Sequence, residues 1–150
     1  MAAKSITPFL WFDDNAEEAA RFYCSIFEDS RIDDVTSMVV TFTLRGQKFL
    51  ALNGGPMFTF NEAVSFYVEC ETQEEVDRFW RLLTADGGEE SRCGWLRDKY
   101  GLSWQIIPNA LPELMGDDDE EKSKRVFEAM MTMSKIDIAE LKRAYEGSPA

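Results

Sequence analysis

Histidine is absent from all 150 residues. That single gap removes serine–histidine and cysteine–histidine nucleophile systems, and every zinc or iron site that relies on imidazole. A metal held by this chain would need oxygen ligands, and so would be a hard ion. Basic residues are scarce too: 16 Lys and Arg face 28 Asp and Glu, for a net charge of −12. Such a surface repels phosphate backbones, and no basic stripe exists to read nucleic acid. No run of about 20 apolar residues is present to span a bilayer. The opening MAAKSITPFLWF lacks the layout of a cleavable signal. Cys24, Cys70 and Cys93 are odd in number and widely spaced, with no CxxC. Reduced thiols and a cytoplasmic location are therefore expected.

What is there is a repeat. Residues 93–108, CGWLRDKYGLSWQIIP, read as a β-hairpin whose turn is Asp98-Lys99-Tyr100-Gly101, with Gly101 free to take positive φ. Residues 40–53, VTFTLRGQKFLALN, match them at an offset of 55, with Gly46 on Gly101, Phe49 on Trp104 and Leu50 on Gln105. Helical spacing repeats as well. Ala19, Phe22, Tyr23 and Ile26 recur as Val76, Phe79, Trp80 and Leu83 at an offset of 57. Two copies make a pseudo-symmetric pair, since a solenoid needs more.

In order, residues 6–12 form an apolar strand interrupted by Pro8, which belongs at an edge or a strand start. Asn15 with Glu18, or Asp14 with Glu17, opens a helix over 15–27 by a capping box. Short strands follow at 31–35, 38–44 and 48–53. Gly54-Gly55-Pro56 ends the sheet and starts a linker holding Phe58 and Phe60. The order then restarts: a strand at 64–70, a capping box at Thr72 and Glu75, a helix stopped by Asp86-Gly87-Gly88, a short strand near 89–92, then the hairpin. Each half is β-α-β-β-β. The expected organisation is a first module at 1–53, a linker at 54–63, a second module at 64–110 and a helical tail at 111–150, sharing one core. In the tail, acidic residues 117–121 precede a helix with the stripe Val126, Met130 and Met133. Asp137 and Glu140 cap a last helix carrying Ile138, Leu141 and Tyr145.

These stretches resemble the vicinal oxygen chelate superfamily, which groups glyoxalases, extradiol dioxygenases and bleomycin-resistance proteins. The wording is closest to its PhnB-like branch, often labelled demethylubiquinone methyltransferase-like. ITPFLWF at 6–12, NAEEAARFY at 15–23, GQKFLALNGGP at 46–56, FNEAVSF at 60–66, EEVDRFW at 74–80, CGWLRDKYGLSWQIIP at 93–108 and KIDIAELKRAYEG at 135–147 carry the likeness. The resemblance implies an α+β fold of two βαβββ modules whose curved mixed sheets form a cleft, with C-terminal helices added. Strand alternation then assigns faces. Thr7, Phe9 and Trp11 turn to the cleft, as do Ser65, Tyr67 and Glu69, and also Leu50, Leu52, Gln105 and Ile107. Pro8, Leu10, Phe12, Phe49, Ala51, Phe66, Val68, Cys70, Trp104 and Ile106 turn to the helices.

Metal-dependent relatives take one ligand from the first and last strand of each module, usually His or Glu. The matching positions here are Thr7, Leu50, Ser65 and Gln105, all uncharged, so no metal and no cofactor are expected. A methyl-donor loop is not legible either, because Gly54-Gly55 leads into a proline break and not a helix. Trp11 and Tyr67 offer aromatic surface to a planar ligand, or else pack within a sheet or dimer; Trp95 completes the aromatic set. Ser65 and Gln105 either orient a ligand or satisfy each other. Phe58 and Asn61 lie in a linker able to form a lid, with Asn61 alternatively capping a turn and Phe60 plugging the core. Glu69 is the general-base candidate if there is catalysis. Cys93 would need Arg92, Arg97 or a helix N-terminus to activate it, and otherwise is a small packed thiol.

Three readings follow. The favoured one is a metal-free protein binding a small apolar or aromatic molecule in the inter-module cleft. The second is a lyase, isomerase or transferase without a His-based metal site. The third is a structural or regulatory homodimer with a filled cleft. A homodimer is expected in any case, because the Met- and Leu-rich tail offers apolar surface to a second subunit.

Overall fold

Pro8 has no amide hydrogen to give a sheet, and the first strand starts immediately after it. In the computed structural model, which describes residues 4–147, β1 is Phe9–Phe12, and only the Pro8 carbonyl joins the ladder, accepting from Leu50 N at 3.0 Å. Thr7, expected within this strand, lies ahead of it. The chain continues through α1 (Ala16–Ile26), β2 (Arg31–Val35), β3 (Val39–Leu44) and β4 (Gln47–Asn53). It resumes with β5 (Ser65–Cys70), α2 (Gln73–Thr84), β6 (Glu89–Glu90), β7 (Trp95–Arg97) and β8 (Ser103–Pro108). The βαβββ order therefore occurs twice. Three further helices follow: α3 (Ala110–Met115), α4 (Glu120–Met130) and α5 (Ile138–Glu146).

The described chain divides into two compact units, at Phe60 and Asn61. In the first unit the strand order is β1-β4-β3-β2, with β1 parallel to β4 and the other pairs antiparallel. In the second it is β5-β8-β7-β6, with β5 parallel to β8. Both sheets are mixed and open, as the resemblance implied. In each, the helical crossover lets the first strand lie parallel to the last.

The faces follow alternation. In the first unit Leu10, Phe12, Val40, Phe42, Phe49 and Ala51 are buried beneath α1. Tyr23 stacks near Phe42, and Phe42 on Phe49 with centroids 5.3 Å apart. Ala16, Ala19 and Ala20 bring α1 close to the sheet, and Phe22 remains at the margin of the buried stripe, tilted on Tyr23. In the second unit Val76, Phe79, Trp80 and Leu83 are all buried, against a sheet face that includes Val68, Cys70, Leu96, Trp104 and Ile106. Full burial of a side chain such as Phe79 contributes about 1.5–3 kcal/mol.

Helix starts divide into the expected and the unexpected. Thr72 accepts from Glu75 N, and Asp137 from Glu140 N, as the capping boxes require. Asp119, inside the acidic run, accepts from Glu121 N and Lys122 N. Asn15 caps nothing with its side chain. Asn53, at the end of β4, replaces it: its Oδ1 accepts from Ala16 N at 2.9 Å, while its Nδ2 donates to Ser37 O. The cap crosses 37 positions of sequence, so no local pattern announces it.

The tail belongs to the second unit. Ile107, expected in the cleft, is 4% exposed and packs with Leu111, Val126, Ile136 and Leu141. Met130, Met133 and Tyr145 border the same cluster. Polar contacts fasten it. Cys93 N donates to Met133 O, Gly94 N to Ser134 O, and Gln73 bridges Ile136 O and Ile138 N. Lys135 pairs with Asp77 at 2.8 Å, and with Gln73 it holds the Asp77 carboxyl below its ordinary range.

Replacing Asn53 with Ala leaves Ala16 N without its acceptor. We expect a loss of about 1–2 kcal/mol, seen in urea unfolding as a lower midpoint at unchanged slope; an unaltered midpoint would show that the cross-chain cap is not needed.

Candidate ligand-binding face

The sheet of the second unit turns one face to α2 and leaves the other without a helix over most of its width. The strand registers define that second face. Tyr67 on β5, Gln105 on β8 and Trp95 on β7 stand in one row; Ser65, Ser103 and Arg97 stand in the next, with Glu89 of β6 extending it. Glu69 pairs with Ile107 in a third row. Tyr67 is 52% exposed and Glu69 is exposed, whereas Trp95 and Gln105 are half-buried. Partial burial, helped by the Glu69 carboxylate, raises the Tyr67 phenol above its ordinary value, so the group is a neutral hydrogen-bond donor.

Ser65 and Gln105 find each other: Gln105 Nε2 donates to Ser65 Oγ at 3.0 Å. Arg97 lies between two carboxylates, Glu62 at 3.4 Å and Glu89 in close contact. Its pKa is raised by the Glu89 hydrogen bond and charge first, and then by Glu62. Glu62, Glu89, Glu90, Trp95, Arg97 and Ser103 are among the residues lining a cavity of about 100 Å³. Ser103 is 1% exposed, and its Oγ has no hydrogen-bond partner among the described residues.

One buried carboxylate sets this arrangement. Asp98, at the end of β7, is 2% exposed. Its Oδ1 accepts from Tyr100 N (2.8 Å) and Leu102 N (3.1 Å), and its Oδ2 from Trp104 Nε1 (2.9 Å). Three donors on an anionic group outweigh its desolvation, and they fix the turn that sets β8 against β7.

The other expected residues fall elsewhere. In the first unit, Trp11 Nε1 donates to Gly55 O at 2.8 Å, and Phe58 meets the indole edge-on at 4.8 Å. A Cβ on Gly54 would stand 2.5 Å from Trp11 Cε2, so only glycine lets the linker lie against that ring. The Gly54-Gly55 pair thus serves Trp11. Phe60 packs on Phe12, and Asn61 caps a turn by accepting from Ala63 N. The Thr7 hydroxyl lies 3.4 Å from Ser5 Oγ. Cys93 has φ +59 and its Sγ lies 3.8 Å from Met131 Sδ, while the nearby Arg92 donates to Met131 O. The thiol thus stands beside a thioether on the tail, and Arg92, one of the groups expected to activate it, is engaged with a backbone carbonyl.

The metal positions implied by the resemblance fit no divalent ion. Leu50 has no donor, Ser65 and Gln105 use each other, and the set carries no anionic ligand. Among the described residues, no group of three His, Cys, Asp or Glu side chains could hold a metal.

Sequence reasoning missed Arg97, Glu62, Glu89 and Ser103. The signal was present for two of them: alternation along β7 puts Arg97 beside Trp95's face, and along β8 Ser103 beside Gln105's. Glu62 reaches Arg97 from the linker across 35 positions, and nothing local marks it.

The sequence model of a family described as 3-demethylubiquinone-9 3-methyltransferase matches residues 4–107. No curated protein matches the chain. Among solved structures, a PhnB protein from Bacillus cereus is 36% identical, with TM-score 0.66, over 70% of this chain and 99% of that one. A protein from Pseudomonas aeruginosa is 16% identical, with TM-score 0.58, over 71% and 98%. FosX, the fosfomycin resistance protein of Listeria monocytogenes, complexed with Mn(II) and sulfate, is 16% identical, with TM-score 0.57, over 75% and 95%. The last two likenesses are of fold.

Asp98→Asn puts an amide NH2 where an acceptor is required. We expect it to cost about 3 kcal/mol and to alter Trp104 emission; a variant as stable as the parent would remove Asp98 from the organisation of this face.

Proposed function

Because the chain belongs to the PhnB-like family of the vicinal oxygen chelate superfamily, we propose that it binds a small apolar or aromatic molecule on the open face of its second sheet, without a metal. The observation that carries this reading is the row Tyr67–Gln105–Trp95, which sets two aromatic rings on either side of a neutral amide. Strands about 4.8 Å apart give that row the width of a planar ring system. Aromatic walls supply contact area, and Gln105 and Ser65 supply orientation. The implied metal positions cannot compensate a divalent ion for lost hydration, so the binding chemistry rests on these neutral groups. Trp11 and Phe58 are held by their own linker, and Thr7 and Asn61 stand in local contacts; in this reading Trp11, Phe58 and Thr7 shape the first unit, Asn61 caps a turn at the start of the second, and none of them grips the ligand. Cytoplasmic residence is part of the proposal and rests on the free thiols of Cys24, Cys70 and Cys93. Among the described residues no helix is long and apolar enough to cross a membrane.

A planar quinone, 2-methyl-1,4-naphthoquinone, serves as probe. At a free concentration one hundred times its Kd it should stabilise the fold by about 2.7 kcal/mol, or roughly 5–10 °C in Tm. EDTA should leave the shift unchanged, and Trp95→Ala or Tyr67→Ala should reduce it. No shift with this or other planar aromatics would overturn the reading.

The homodimer is likewise proposed. Val126 and Leu141 are spent inside the second unit, yet Phe127 (46% exposed) and Met131 (48%) remain at the surface one helical turn apart. Size-exclusion chromatography with light scattering should give twice the chain mass of 17.2 kDa, and Phe127→Glu should return a monomer. A monomer-sized parent protein would refute it.

A further inference from the structure

We propose that the cavity beside Ser103 is the head-group subsite of this ligand face, and that it takes a hydrogen-bond-donating cation, a primary ammonium or amidinium carried on the aromatic body. The inference rests on the ligand-face reading above and adds the chemistry of one end of the ligand.

Three features of the cavity lead to it. First, Ser103 Oγ is buried without a partner among the described residues, and its register places it on the face that carries Arg97 and Ser65. A buried hydroxyl left unpaired is costly, so an occupant that bonds it gains more than the same bond made in water. Second, the volume of about 100 Å³ holds roughly three waters at about 30 Å³ each. That suits a head group of a few heavy atoms, with the ring system resting on Trp95 and Tyr67.

Third, charge selects the head group. Glu62 and Glu89 line the cavity against a single cation, Arg97, and Glu89 stands in the same row as Ser103. That cation is engaged by Glu62 and Glu89, so it is not open to an incoming carboxylate. Glu90, the next residue of β6, accepts from Trp80 Nε1 on the α2 side, so the negative charge beside Ser103 is that of Glu62 and Glu89. An anion meets this excess of negative charge, whereas an ammonium donates to Ser103 Oγ and to carboxylate oxygens together. The Trp95 ring adds an electron-rich face that also favours a cation.

Isothermal titration of the intact protein with benzylammonium, benzyl alcohol and benzoate at low salt tests the idea. Benzylammonium should bind tightest and benzoate weakest, with the preference shrinking in 0.5 M NaCl, where the Debye length falls to about 4 Å. Ser103→Ala should weaken benzylammonium about threefold to tenfold while raising the Tm of the ligand-free protein, a pair of opposite effects that a purely structural serine would not give. Glu62→Gln, on the exposed rim, should weaken it roughly threefold with the fold intact. If the three probes bind equally, or Ser103→Ala leaves benzylammonium unaffected, the head-group assignment fails, and retention of the naphthoquinone shift shows that the ligand face itself stands. If a crystal soaked with benzylammonium shows only water on Ser103, the assignment fails in the same way. If neither the amine nor the quinone binds, both readings fall.

Discussion

A carboxylate almost fully removed from water holds the sheet of the second unit together. Asp98 would be an expensive residue to bury were it not met by two backbone amides and an indole N–H. Each of those bonds ties a different part of the hairpin: Tyr100 and Leu102 in the turn, and Trp104 on the helix-facing side of β8. With the turn fixed, β8 can run only in one register against β7. That register sets Gln105 beside Trp95 and Ser103 beside Arg97. A one-residue slip would send these side chains to the α2 side and bring Trp104 out.

The two units share a plan yet expose different faces. Parallel pairing of the first and last strands, and a helix packed on one side, are common to both. What lies over the other side is not. In the first unit the segment after β4 folds back, and Gly54, Gly55 and Phe58 occupy Trp11. In the second unit the tail covers Ile107 and leaves the rows nearer β6 and β7 uncovered by its hydrophobic cluster. The added helices thus narrow the second face at one end and leave its aromatic row and its polar cavity. Charge is uneven as well: the chain carries −12 overall, and Glu62 and Glu89 flank Arg97 at this end of the sheet.

Turns show how far duplication can drift while the fold persists. The first hairpin closes with two residues, Arg45 and Gly46, both at positive φ, in the manner of a type I′ turn. The second spans 98–102 and needs the Asp98 carboxylate to tie it. A two-residue turn satisfies its strands with backbone alone, whereas a longer one leaves amides that call for a side-chain acceptor. The larger turn is the one that carries the buried anion, and the sheet it closes carries the candidate site.

The α+β class, the doubled βαβββ order, the helix-facing stripes and two of the helix caps, at Thr72 and Asp137, were legible in the sequence, because periodicity and capping are local consequences of 3.6-residue and 2-residue geometry. Alternation also puts Ser65, Tyr67 and Gln105 on one face. Other features depended on residues far apart in sequence and needed the tertiary structure. Asn53 caps α1 across 37 positions, Glu62 pairs with Arg97 across 35, and Ile107 leaves the open face because helices from the tail close on it. The hydroxyl of Ser103 is the sharpest case: its residue type is ordinary on a strand, and only the packing around it leaves its Oγ buried beside a cavity without a partner among the described residues. Sequence determined which surfaces each element presents, since that is written in spacing; packing decided which of those surfaces stay open, since that depends on what folds over them.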